Sequence, residues 1–149
     1  MPKDYSARFA SEAEVAEIGE GLIDRSLPKE RWTHAAHFAA TTWILRRRPD
    51  LDAARDLPGL IARYNEASGG RNTDTEGYHE TITQASIRAT RVRLDDLSAA
   101  MPLDEAVNRL LDGGLGHPDW ILTYWSRDLL FSTLARRGWV EPDLAPLPF

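Results

Sequence analysis

Apolar residues return at helical spacing along most of this chain, and nowhere do they alternate in the period-two pattern of a half-buried strand. Val15, Ile18, Leu22 and Ile23 set the pattern in the first segment. Proline and glycine then cut the helical stretches to unequal lengths. The sequence therefore predicts an all-α fold. The expected form is an irregular single-domain bundle over residues 1–149, with about five main helices, short C-terminal helices and an extended tail from about 140.

Punctuation gives the expected boundaries. Ser11 followed by Glu14 resembles a capping box, opening a helix to about Asp24. Pro28 suits the first turn of a second helix, running to about Arg48. Asp50 caps a third through about Glu66, with Pro58 as a kink or restart. Residues 67–74, rich in glycine and polar side chains, form the clearest loop, and a fourth helix is expected from about Gly77 to Leu94. A fifth spans about Leu103 to Leu111 and stops at Gly113-Gly114. Shorter helices follow around 118–125 and 127–137. The tail, with three prolines among Glu141–Phe149, is expected to pack on the body through its apolar residues.

Composition narrows the function classes. With 149 residues the chain can bury about two thirds of the surface it exposes when unfolded, so it needs no staple to fold. It contains no cysteine, which fits a reducing compartment. Its 23 acids against 18 bases give a formal charge of −5, which disfavours nucleic acid and anionic membranes as partners. The run Arg46-Arg47-Arg48 reads as cations at a helix C-terminus. No window is long and apolar enough to span a bilayer, and the first residues do not read as a secretory signal. A cytoplasmic protein is the default expectation; the oligomeric state is open.

Three of the four histidines fall in two short motifs, Trp32-Thr33-His34-Ala35-Ala36-His37 and Tyr78-His79-Glu80-Thr81. On a helical wheel His34 and His37 share a face with Glu30, Phe38, Thr41, Ile44 and Leu45. The opposite side carries Trp32, Ala36, Ala39 and Trp43, so this helix should be buried on two faces. The His79 side of the fourth helix carries Ile82, Thr83, Ser86, Ala89, Thr90 and Arg93. Such a wall of short, hydroxyl-bearing residues leaves room and supplies polar groups. Glu80 falls on another face with Gln84, Arg88 and Arg91.

Three readings of the imidazoles follow. They can be core residues satisfied by hydrogen bonds within a non-enzymatic interaction or scaffold module. They can line an internal pocket for a small molecule, with His34, His37 and His79 as acid–base groups of any reaction there and Tyr78, Thr83, Ser86 and Thr41 as ligand-binding residues. Or they can hold a divalent metal, with His34, His37 and His79 as ligands and Glu30 or water as the fourth. The pocket is the preferred expectation, and the loop 69–74 would gate it. In that case losing the His79 side chain should cost about 1 kcal/mol or less; a packed core histidine would cost roughly 2–4 kcal/mol. His117, before Pro118, reads as a surface loop residue, and Ser126-Arg127-Asp128 as a helix start.

Taken in order, Trp32-Thr33-His34-x-x-His37, Tyr78-His79-Glu80-Thr81-Ile82-Thr83, Ser126-Arg127 and Glu141-Pro142-Asp143-Leu144 resemble a pattern in a family of small uncharacterised bacterial all-helical proteins. Members carry a Phe-Thr-His-x-x-His-like motif, a Tyr-His-x-Thr-x-Thr motif and a Pro-Asp-Leu tail. Here Trp32 stands where Phe is usual. The resemblance covers about residues 30–147. It implies that His34, His37 and His79 belong to one constellation, and it implies no activity.

Overall fold

Ser11 opens the first helix as the spacing predicts. In the structure, a computed structural model that describes residues 3–149, its hydroxyl accepts the Glu14 amide at 3.2 Å, and the Glu14 carboxylate accepts the Ala10 amide at 2.9 Å. Helix α1 (Glu12–Asp24) buries Val15, Ile18 and Leu22 and ends on Arg25 in the left-handed region. Gly19 lies where any Cβ would collide with the Trp43 indole, so the missing side chain lets α1 settle flat on its neighbour.

That neighbour is α2 (His34–Arg47). It packs on α1 and on the three long helices that follow it, and it buries both Ala36, Ala39 and Trp43 on one side and Phe38, Thr41 and Ile44 on the other. The two apolar faces thus put α2 at the centre. It starts later than expected. Pro28 opens only a short turn, Lys29–Arg31, and Thr33 is the true cap, its hydroxyl accepting the Ala36 amide at 3.2 Å. Trp32 and Glu30 therefore precede the helix instead of riding on its faces. At its far end all three arginines are partnered: Arg46 to the Leu94 carbonyl, Arg47 to Glu12 and Arg48 to Asp50.

Helix α3 (Ala53–Ala67) is capped by Asp52, two residues beyond the expected Asp50. Pro58 sits inside it without ending it. Proline has no N–H for the carbonyl four residues earlier, that of Ala54. The Gln84 side-chain amide donates to that carbonyl at 3.0 Å and fills the gap from the next helix.

Helix α4 (Glu80–Asp95) also begins later than expected, and His79 is its cap. Helix α5 (Leu103–Leu110) runs into a wider turn, Leu111–Leu115, where Gly113 and Gly114 leave helical geometry and Gly114 takes φ +106°. This brings the chain back toward α2. A 3₁₀ segment (Pro118–Thr123) and two short helices, α6 (Arg127–Leu130) and α7 (Thr133–Arg137), complete the helical part. No strand occurs among the described residues, and no helix among them is long and apolar enough to cross a membrane.

Two apolar clusters result. The larger unites α1, α2, α3 and α5 with one face of α4. The smaller gathers Ile121, Trp125 and Leu130 around Ala85 on another face of α4, with Trp139, Val140 and Leu147 of the tail against it. The tail is extended and fixed as expected. Asp143 accepts both the amide and the hydroxyl of Ser126, at 2.7 and 2.6 Å, and the Leu144 amide donates to the Tyr124 carbonyl. Thr81 donates to the Gly138 carbonyl and accepts from the Val140 amide.

Candidate functional site

At the junction of the two clusters the packing leaves a cavity of about 360 Å³. Residues of α2, α3, α4 and the segment 118–131 line it, mostly with apolar groups such as Phe38, Leu57, Ile82 and Trp120. The polar residues expected from the sequence meet here in part: His34, His37, Thr41, Thr83 and Ser86 all reach this space. A second, outer chamber of about 490 Å³ opens beside it toward the loop 68–79. Trp32, His37, Ile61, Ile82 and Thr83 border both chambers. His37 lies under the Trp32 indole, ring centroids 3.9 Å apart and planes 31° apart, and this stacked pair borders both spaces.

The hydrogen bonds fix each imidazole's tautomer, because a carbonyl oxygen can only accept. His37 donates from Nδ1 to the Thr33 carbonyl at 2.7 Å. Its Nε2 therefore carries a lone pair, and that atom has no hydrogen-bond partner among the described residues. Burial of the ring, followed by the nearby His34, outweighs the Thr33 bond and pushes the His37 pKa down to about 4. His34 donates from Nε2 to the Leu115 carbonyl at 2.7 Å, the carbonyl that the glycine turn brings over. Its Nδ1 keeps the lone pair, and burial likewise lowers its pKa. Two of the cavity hydroxyls are committed in the same way. Thr41 donates to the His37 carbonyl and Ser86 to the Ile82 carbonyl, four residues back in each helix. These four groups, His34, His37, Thr41 and Ser86, spend their hydrogens on the backbone and keep acceptor lone pairs.

His79 differs. It is buried, with 6 % of its surface exposed, and both ring nitrogens are used inside the chain. Nδ1 accepts the Ile82 amide at 3.1 Å, and Nε2 donates to the Leu130 carbonyl at 2.6 Å. Burial lowers its pKa, with Arg136 nearby adding to the effect. The wheel that set His79 on a helix face assumed a helix from Gly77; as the cap, it instead turns back onto the helix end. It touches the outer chamber and not the inner one, whereas His34 touches the inner and not the outer. The three imidazoles do not share one space. The expected metal set is not assembled either: His79 has no free lone pair, Glu30 stands exposed in the turn before α2, and no three metal-ligating side chains come together among the described residues.

Tyr78 borders only the outer chamber. Its hydroxyl donates to Glu80 at 2.7 Å, and burial first, then this bond, raises its pKa. The same Glu80 oxygen accepts from Gln84 at 3.0 Å, so Glu80 supports the wall of the site without entering it. The loop 69–74 is anchored. Asn72 donates to the Ala62 carbonyl and accepts from Asn65 and from the Tyr78 amide. Asp74 pairs with Arg137. Gly77, at φ +84°, lies where any Cβ would collide with the Arg71 carbonyl oxygen. These ties fit a fixed wall better than a gate.

Trp120, Ile121, Leu130 and Phe131, which close the cavity from the C-terminal side, were not among the expected site residues. Nothing in their spacing signals a site, since their place depends on how the tail docks. His117 is exposed, as expected, and caps its segment by accepting the Asp119 amide. No family model, no curated protein and no solved structure matches this chain.

Proposed function

We propose that the inner cavity binds a small, largely apolar molecule that carries a hydrogen-bond donor, a hydroxyl or N–H, aimed at Nε2 of His37. The observation that carries this reading is that Nε2: a lone pair beside a cavity, in a chain where the comparable atom of His79 is satisfied internally. An apolar wall with a few convergent polar groups, at about 360 Å³, is of a size and character that suit small ligands. The acceptors of His34, Thr41 and Ser86 favour donors over anions in this inner space.

Binding is favoured over acid–base catalysis by the chemistry of the ring. A base with a pKa near 4 is far from the operating range of a general base at neutral pH. Its Nδ1–H leans on a neutral carbonyl, not on a carboxylate that would stabilise an imidazolium. His37 thus acts as a fixed acceptor.

The test compares 2-naphthol with its methyl ether, which has the same rings and no donor. Titration followed by tryptophan fluorescence, with Trp32 and Trp120 as reporters, is expected to show the naphthol binding roughly fivefold to tenfold more tightly, the value of one hydrogen bond. His37→Phe should erase that preference. Equal affinity for the two probes in the wild-type protein, or no binding below millimolar concentration, counts against the reading.

A further inference from the structure

The outer chamber differs in chemistry from the inner one. Lys29 and Arg71 stand on its rim, and neither takes part in an ion pair or in any hydrogen bond from its side chain among the described residues. Most other polar groups of the chamber have a partner. Asn65 donates to Asn72, Ser68 to the Asn65 carbonyl and Tyr78 to Glu80, and His79 uses both nitrogens. Glu76 is the one acid on the wall. Two cations against one carboxylate leave the chamber with a net positive charge, in a protein whose overall charge is −5. The inner cavity carries the acceptors of His34, His37, Thr41 and Ser86, and the outer rim carries cationic donors. Trp32, His37, Ile61, Ile82 and Thr83 line both, so the two spaces adjoin along these residues.

We propose that the outer chamber is the carboxylate subsite of the same pocket, so that the ligand is an amphipathic monocarboxylate. Its apolar body lies in the inner cavity with a hydroxyl or N–H on His37, and its carboxylate lies outside between Lys29 and Arg71. This inference rests on the inner cavity being a ligand site. Arg71 offers the forked donor geometry that matches a carboxylate, and Lys29 adds a compact charge. Glu76 repels a second negative charge and so favours monoanions over dianions.

The experiment uses the intact protein and two probes of one shape, 6-hydroxy-2-naphthoate and its carboxamide. The carboxylate is expected to bind about tenfold more tightly than the amide in low salt, and the gap should narrow as salt is added, because both cations are exposed. The double variant Lys29→Gln/Arg71→Gln alters only exposed side chains and should keep its fold, which a melting curve checks. In that variant the two probes should bind alike. Equal binding of carboxylate and amide by the wild-type protein overturns the subsite and leaves the inner cavity standing. A carboxylate preference that survives in the double variant overturns the assignment to Lys29 and Arg71. Failure of both these probes and of 2-naphthol removes the pocket itself, and the subsite with it.

Discussion

Helices α2 and α4 both begin beside a histidine, and the two starts have opposite outcomes. At α2 a threonine caps the helix, so the imidazoles of the first turn are left to face the cavity, and His37 keeps an open lone pair. At α4 the histidine is itself the cap, and its ring is consumed in holding the helix end against Leu130. The same residue type, inside the first turns of one helix and at the cap of its neighbour, is available in one and structural in the other. The identity of the capping group decides which.

The largest break in this contrast should come from His79→Ala. The change removes a cap, a buried hydrogen bond to Leu130 and the ring's packing, and should cost about 2–4 kcal/mol. For a domain of this size that is a drop of many degrees in melting temperature, measurable by calorimetry. The same change at a solvated pocket residue would cost about 1 kcal/mol or less, so a small drop would mean that the cap is dispensable.

Acid should act next. Folding depresses the pKa of His37 from an ordinary 6.5 to about 4, so between these values the unfolded chain binds more protons than the folded one. Stability is then full above about pH 6.5 and falls as pH drops toward 4, with little further loss from this group below that. With allowance for the ring's partial exposure, the loss is on the order of 1–2 kcal/mol. His34 and His79, also depressed, push in the same direction. Urea unfolding across this range should show a shallower slope in His37→Phe; an unchanged slope would remove His37 from the account.

Thr33→Ala should cost about 1 kcal/mol through loss of the α2 cap, and Thr33→Ser should restore most of it. The smallest stability effect belongs to His37→Phe itself at neutral pH. The Thr33 carbonyl keeps its bond from the His37 amide, and an aromatic ring still lies under Trp32. A shift of under about 1 kcal/mol is expected, alongside loss of the 2-naphthol preference. A large destabilisation would make His37 a second structural histidine and dissolve the contrast.

The fold was largely legible, because apolar spacing and capping residues act locally. Ser11 with Glu14, and the two apolar faces of α2, needed only neighbours in sequence. So did the meeting of His34, His37 and Thr41 on one side of one helix. The helix starts misled where two signals competed. Pro28 spoke for an early start and Thr33 for a later one, and the threonine prevailed because its hydroxyl supplies the acceptor that the first turn lacks. Histidine is not among the preferred caps, so reading His79 as a face residue was the natural inference from spacing, and it misplaced the third imidazole. The closing wall from Trp120 to Phe131 depends on contacts such as Ser126 with Asp143 that span long stretches of chain, and no local pattern encodes them.

The bond from Gln84 to the Ala54 carbonyl has a consequence for how α3 and α4 slide past one another. Apolar packing alone admits several offsets, since ridges can drop into successive grooves along a helix that rises about 1.5 Å per residue. A hydrogen bond to the one carbonyl that Pro58 leaves vacant has a single address. It singles out one offset, and with it the height at which Ile61 on α3 lines the cavity beside Ile82 and Thr83 on α4. The proline thus works as an index mark, and the alignment of the two walls is read against it.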